Sequence, residues 1–299
     1  MRTRAHNIRG RHRCIQGPGS CLLCGVTTGS STYALRLSDD ELGRYRMMAA
    51  RARAEEGDLW ALAGIVPGAR VADVGCGPGA ILVALAEAVG PTGRVVGVDA
   101  DATAVAAARG ALAAARLGGT AVASGEVRQA RAEATGLRLG SIDTAVLRHV
   151  LGHNGGAEQR IVDHLATLVR PGGHVYLLDL DLTVATLTSA PPEALELYAR
   201  YARWHVRQGN DLRVGRRLPD LGRAAGLEVV GYHRWTVGGP MAPGMRGPAW
   251  AARDELVRDG LATAGDIARW GEAFASLDAA SERPHFALGH CAVVGRRPI

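Results

Sequence analysis

Asp73 stands two residues ahead of a turn with glycine at alternate positions, Gly75, Gly77 and Gly79. The segment Val71-Ala-Asp-Val-Gly-Cys-Gly-Pro-Gly79 is an apolar strand that runs through a carboxylate into a turn opening a helix. Glycine puts no Cβ between the main chain and a ligand, so a cofactor can lie directly against such a turn. The helix that follows, about Ala80 to Val89, directs N–H groups into the same space. Two chemistries fit the pattern. Gly75-Cys-Gly-Pro-Gly-Ala80 satisfies the relaxed dinucleotide fingerprint, which would make the chain an NAD(P)-dependent oxidoreductase. Asp73 favours a ligand of the other sign. A pyrophosphate on this turn would be repelled by the carboxylate at a cost on the order of kcal/mol in a partly desolvated cleft, whereas an ammonium group would be attracted.

The next acid sharpens the choice. Arg94-Val-Val-Gly-Val-Asp99 is a short β-branched run ending in a carboxylate, a second buried parallel strand. Asp99 lies about twenty residues past the turn, where a side chain accepts ribose hydroxyls. Asp101 is the natural cap of the alanine-rich helix from about Ala102 to Leu117. S-adenosylmethionine joins an ammonium, a sulfonium and a ribose without any phosphate, and so suits both acids. Glu133, in the loop Arg131 to Leu137, is placed to accept from an adenine amine or to remain a surface acid.

Candidates for proton transfer follow the strand Ser141-Ile-Asp-Thr-Ala-Val-Leu-Arg-His149. Its end faces the cofactor, and an unperturbed imidazole titrates near neutral pH, which nominates His149 as general base. His153 comes four residues later and would share a helical face with it, a spacing that also suits a metal pair, but no nearby carboxylate completes such a site. Asp179, Asp181, Tyr201 and His205 are further candidates on later elements.

With these residues in place, the chain from about Tyr45 to Val237 resembles the class I S-adenosylmethionine-dependent methyltransferases, in the small-molecule branch similar to the ubiquinone and menaquinone C-methyltransferases. The resemblance is carried by Asp73 to Gly79, Asp99, Glu133-Ala-Thr-Gly-Leu137, Ile142 to His149 and Leu168-Val-Arg-Pro-Gly-Gly-His-Val-Tyr176. It departs from the family pattern at Glu133, where Asp is usual, and at Leu137-Arg138, where Leu-Pro is usual. The resemblance implies an α/β fold, a doubly wound, Rossmann-like and mostly parallel seven-stranded sheet with an N-terminal helical cover and a helical lid. It further implies that Tyr45, Asp73, Gly75, Cys76, Gly77, Gly79, Asp99, Ala100, Ala132, Glu133 and Arg148 line the cofactor, with Tyr45 near its carboxylate end.

Alternation of strands and helices from Gly68 to Leu180 is what such a sheet requires. A helical stretch from a capping-box sequence at Ser38-Asp-Asp-Glu41 to about Gly64 precedes it, with Leu42, Tyr45, Met48, Ala49 and Leu59 on an interrupted apolar stripe. The fifth strand is expected from His174 to Leu180 after the Pro171-Gly172-Gly173 turn. Helices at Pro191–Gln208 and Arg217–Ala225, a strand at Leu227–Arg234, a loop at Gly238–Gly247, helix at Ala249–Leu277 and a last strand at Phe286–Val294 complete the reading. The methyltransferase domain is expected over 38–299, with a cofactor-binding core at 65–182 and substrate-lid helices and last strands at 183–299. Trp204, Trp235, Met241, Met245 and Trp250 could line an apolar pocket there or simply pack the lid.

Composition bounds the partners. The chain has 299 residues, 47% of them apolar, and a net charge of +6. Six arginines and no acid fall within residues 1–38, leaving 29 basic against 29 acidic residues in the rest, so the body carries no footprint for a polyanion. No Asn/Asp-Pro-Pro-Tyr/Phe tetrapeptide and no Pro-Cys dipeptide occurs, and aromatic residues amount to only 4%. A small organic methyl acceptor, possible use in secondary metabolism, and no nucleic-acid partner are therefore expected. Residues 1–37 read as a disordered basic tail. Cys21-x-x-Cys24, with Cys14 and His12 nearby, has metal-like spacing, yet no second pair follows, and incidental reduced thiols are the simpler reading. No run has the length of a secretory or membrane-spanning segment, so a cytoplasmic monomer or homodimer with no membrane insertion is expected. A non-catalytic cofactor-binding protein is the third possibility.

Overall fold

The computed structural model describes residues 39–118 and 121–299. The tail at 1–37, its cysteines and His12, and the Ser38 cap lie outside the described residues. The apolar run at Val71 and the β-branched run at Val95 become neighbouring parallel strands, β1 (Arg70–Val74) and β2 (Arg94–Asp99), with Asp73 opposite Gly97. On the other side of β1 lies β4 (Ile142–Arg148), whose Val146 stands opposite Asp73. The full sheet has the order β3-β2-β1-β4-β5-β7-β6, with β3 at Ser124–Gln129, β5 at Val169–Thr188, β6 at Glu228–Pro240 and β7 at His285–Arg296. The first five strands in that order are parallel, and β7 runs antiparallel between β5 and β6. The expected seven-stranded, mostly parallel sheet is what the chain forms. The order of strands reverses between β1 and β4, which opens a crevice at their carboxyl ends.

Both faces of the sheet are covered. On one, α1 (Asp39–Glu55), α2 (Gly57–Leu62), α3 (Ala80–Val89) and α4 (Ala102–Leu117) bury Trp60, Leu82, Leu85, Val105 and Leu112 against Val71, Val146 and Tyr176. On the other, α5 (Glu158–Leu168) and α7 (Leu218–Ala224) bury Ile161, Leu165 and Leu221 against Val74, Leu147 and Leu177. The helices expected at Ala80–Val89 and Ala102–Leu117 form with those bounds, and Asp101 caps the second by accepting from the Ala104 N–H at 2.7 Å.

Several boundaries differ, each for a physical reason. The single N-terminal helical stretch breaks at Glu56, whose side chain is drawn inward to four donors described below. Strand β5 continues past the expected end at Leu180 to Thr188, and β6 past Arg234 to Pro240, because β7 pairs with both along its length, Thr188 and Pro240 each meeting His285. The lid is thus carried on a three-stranded β-arm rather than on helices alone. The helix expected over Ala249–Leu277 is three helices, α8 (Pro248–Ala251), α9 (Arg253–Arg258) and α10 (Ala264–Ala279), the last started by a capping box of Thr263 and Asp266. Together with α6 (Pro192–Arg207) they enclose a third apolar cluster around Leu197, Trp204, Met241, Trp270 and Phe274. Trp204, Met241, Met245 and Trp250, for which pocket lining and lid packing were both open, belong to that cluster, while Trp235 packs against the cluster under α1 to α4.

Trp270 is wholly buried in this lid cluster. Trp270→Ala is expected to lower stability by about 3–5 kcal/mol, seen as a reduced midpoint in urea denaturation.

Candidate active site

The carboxyl ends of β1, β2 and β4 bring Asp73, the glycine turn, Asp99, Arg148 and His149 together. Gly75, Gly77 and Gly79 all adopt positive φ, at 73°, 51° and 87°. The constraints behind them differ. A Cβ at Gly75 would lie 2.3 Å from the Val150 side chain, and one at Gly79 would lie 2.8 Å from the Ala108 backbone, so these two permit the close approach of the β4 loop and of α4. At Gly77 the nearest atoms are those of the Tyr45 ring, 3.8 Å away. Tyr45 of α1 therefore lies over the turn.

The N–H groups of this turn point inward. Those of Gly75 and Cys76 both donate to the Val98 carbonyl, at 2.7 and 3.0 Å, and that of Gly79 to the Cys76 carbonyl at 3.1 Å. The Gly77 N–H donates to the Asp99 carboxylate at 2.8 Å. These four donors of the turn are satisfied within the protein, and a carboxylate holds one of them. A phosphate would find them already used. The Cys76 side chain likewise faces the core: its Sγ would stand 3.1 Å from a Cβ on Gly97. Cys76 borders the turn through its backbone.

Asp73 is 2% exposed, and its Oδ2 has no hydrogen-bond partner among the described residues. Burial pushes its carboxyl up to about 7; Arg148 pulls against this, and Asp99 adds to it. Asp99 accepts from the N–H groups of Gly77 and Asp101 at 2.8 and 2.9 Å, which leaves one lone pair on each oxygen for further donors. Its carboxyl is also raised, mainly by burial. A desolvated carboxylate with an open oxygen asks for a cationic donor, and a second with spare lone pairs asks for hydroxyls. These acceptors fit the ammonium and ribose of S-adenosylmethionine and do not fit a pyrophosphate.

Arg148, expected to line the cofactor, has its guanidinium paired with Glu56. Its guanidinium grips Glu56 through Nε at 3.1 Å and a terminal nitrogen at 2.5 Å. Glu56 also accepts from the Tyr176 hydroxyl at 2.9 Å and the Trp60 indole at 3.2 Å, and the Arg148 and Glu56 side chains are only 7% and 3% exposed. No local signal marked Glu56: its partners lie up to 120 positions away. At the rim, Glu133 is held by Arg131 at 2.6 Å. Burial acts against it, but that hydrogen bond keeps its carboxyl below the usual range. Ala132 is half-buried beside it, and the Ala100 carbonyl accepts from the Gln129 amide at 3.1 Å.

The imidazoles correct a second expectation. His149 has φ +56, a strained conformation for a residue with a side chain, and its buried Nε2 has no partner among the described residues. Residues 151–153 form a single 3₁₀ turn, so His149 and His153 do not share a helical face. The His149 ring meets His290 edge-on at 5.5 Å, and His153 meets His205 at 4.9 Å. Burial, reinforced by Arg148, His290, His153 and Arg44, holds His149 far below the ordinary imidazole range, and burial takes His153 down to about 4. Both are neutral at pH 7 rather than poised near it. His290 in turn stacks on Trp235 at 5.5 Å, and the Trp235 indole donates to Glu55 at 3.3 Å.

Asp179 and Asp181 project from the opposite face of the sheet, because side chains alternate along β5. Asp179 accepts from the Gly152 N–H at 3.1 Å, and Asp181 from Thr183 and from Arg234, the latter at 3.1 Å. Tyr201 and His205 are buried on α6, with rings 4.4 Å apart and Asn210 within 3.0 Å of His205 Nδ1. These four are structural ties around the site.

Such a crevice at the strand-order reversal defines an α/β protein of the doubly wound nucleotide-binding class. The comparisons narrow it. Residues 71–173 match the family described as a methyltransferase domain. An uncharacterized 37.1 kDa protein of transposon TN4556 from Streptomyces fradiae is 34% identical over 164 residues, covering 54% of this chain and 44% of that protein. The chain thus spans less than half the length of this relative. A Bacillus halodurans protein, described as a methyltransferase by inference, aligns with TM-score 0.54 at 17% identity over 82% of this chain and all of that one. A complex of the Trm112 methyltransferase activator with a methyltransferase of the same inferred standing, from Haloferax volcanii, aligns with TM-score 0.51 at 17% identity over 87% and 96%. At that identity the likeness shows the fold. Over residues 71–173 the chain is thus similar to a methyltransferase domain, and its fold is the one these solved structures share.

The sign of the Asp73 effect on stability follows from linkage. Its folded proton affinity, about 7, exceeds that of an unfolded carboxyl, so its contribution is full below about pH 4 and is lost as pH rises through 7. Without cofactor, Asp73→Asn is expected to be more stable than wild type at pH 8 by on the order of 2–4 kcal/mol. Thermal denaturation from pH 4.5 to 8 should show the gap closing at the acid end.

Proposed function

We propose that the chain transfers the methyl group of S-adenosylmethionine to an oxygen, nitrogen or carbon atom of a small organic acceptor. The observation that carries this reading is Asp73, a buried carboxylate with an unpartnered oxygen beside a turn whose donors are used internally. Asp73 takes the cofactor's ammonium, Asp99 its ribose hydroxyls, the backbone of Gly75 to Gly79 lies along it, and Tyr45 covers it. Ala100, Ala132 and Glu133 border the adenine side. When bound, S-adenosylmethionine supplies a methyl group on a sulfonium that a nucleophile displaces in line.

What the protein adds is alignment and exclusion of water. The acceptor enters beyond the ends of β4 and β5, under α6 and the β-arm, where His149 is the first side chain past β4. His149 serves as general base there. Because its imidazole is neutral throughout the neutral range, it is free to accept a proton, and its low proton affinity suits an acceptor acidic enough to release one readily. His153, packed on His205, positions the loop. The protein acts as a soluble monomer or homodimer in the cytoplasm; no helix among the described residues is long and apolar enough to cross a membrane, and the balanced charge of residues 39–299 favours a small acceptor over nucleic acid.

Calorimetry with S-adenosylhomocysteine tests the reading: binding is expected, with no response to NAD or NADP. Asp99→Ala should weaken that binding at least about tenfold, or ~1.4 kcal/mol. Affinity equal to wild type would remove Asp99 from the site, and a response to a dinucleotide would return the oxidoreductase reading.

A further inference from the structure

The paired charges of Arg148 and Glu56 are almost free of solvent. A pair of hydrophobic residues would hold α2 to the sheet as well, since burying two charges costs several kcal/mol per ion that their attraction only repays. Strand register gives Arg148 a second neighbour. Asp73 stands opposite Val146, and side chains alternate along each strand, so Arg148, two residues on, projects from the same face as Asp73. The charged and titratable groups facing Asp73 are Arg148 from β4, Asp99 from β2 and the Cys76 thiol from the turn, with Glu56 and Tyr176 behind Arg148. Arg148 is the one cation of that set among the described residues. Without it, a buried carboxyl beside Asp99 would keep its proton and could not attract an ammonium.

We propose that Arg148 is a positioning residue for the cofactor: its charge, divided between Glu56 and Asp73, keeps Asp73 a carboxylate, and Glu56 sets how much of that charge Asp73 receives. The proposal rests on the reading of Asp73 as the ammonium partner. It requires that changes at Arg148 and Glu56 move the pH dependence of cofactor binding in opposite directions. A purely structural pair would weaken binding or stability in the same direction from either side.

The test is calorimetric titration of the full chain with S-adenosylhomocysteine from pH 5.5 to 9. The ligand's own titration is common to all variants and cancels in the comparison. Wild-type affinity is expected to climb with a midpoint near pH 7, following Asp73. Arg148→Met should move the midpoint up by about one pH unit, making binding about tenfold weaker at pH 6 and nearly unchanged at pH 9. Arg148→Lys, which keeps the charge, should stay close to wild type. Glu56→Gln should move the midpoint down and tighten binding at pH 6. Should that variant not fold, the double variant Glu56→Gln with Arg148→Met, which leaves no buried charge unpaired, should reproduce the upward shift of Arg148→Met. Midpoints that coincide across the variants, or that move the same way for Arg148→Met and Glu56→Gln, would overturn the proposal. Failure of the wild type to bind at any pH would instead remove the cofactor reading on which it stands.

Discussion

A desolvated negative charge at the end of the central strand is the constraint around which this molecule is arranged. Asp73 is buried, has an oxygen without a partner, and lies near a second buried carboxylate, Asp99. Left alone, such a group takes up a proton. Three features of the fold bear on it: the parallel register that sets Arg148 on the same face, the Glu56 contact that fixes Arg148 to the N-terminal helices, and the glycine turn whose N–H groups are drawn inward instead of toward Asp73. The outcome is a site that is unfavourable when empty and complementary to a cation.

The two ends of the crevice have opposite electrostatic character. Carboxylates line the end where the glycine turn lies; the end beyond β4 carries imidazoles stripped of their charge by burial, with Arg44 and Arg148 nearby. A cationic cofactor is drawn to the first. At the second, a positive charge generated during turnover would be opposed, so the proposed chemistry is one in which the acceptor gives up a proton easily or carries negative charge as it reacts. The α6 and β-arm cluster stands as a separate apolar unit beside this end, where His153 meets His205 of α6.

Much of this was legible in the residues themselves. Glycine spacing, the acid two residues ahead of it and the acid ending the next strand are local signals, and α3, α4 and β2 formed with the expected bounds. What stayed hidden depends on distance or parity. Glu56 looked like one acid in a charged helix, because its partners Arg148 and Tyr176 are remote in sequence. Asp179 and Asp181 sit at the right height but on the wrong face, a distinction that turns on strand alternation along β5. The edge strand β3, Ser124-Gly-Glu-Val-Arg-Gln129, is too polar to announce itself, and its pairing with β2 is what defines it. The imidazole of His149 was expected near its ordinary range because burial cannot be read from a strand end.

Proton release on cofactor binding tests the central claim most directly. Calorimetric titration of S-adenosylhomocysteine at pH 7 in buffers of different ionisation enthalpy counts the protons exchanged. With Asp73 at about 7 in the free protein, roughly half a proton should be released per ligand bound, fading to none by pH 9 and absent from Asp73→Asn. Binding with no buffer dependence at pH 7, or with net proton uptake, would contradict the account of Asp73 as a buried carboxylate that ionises to receive a cation.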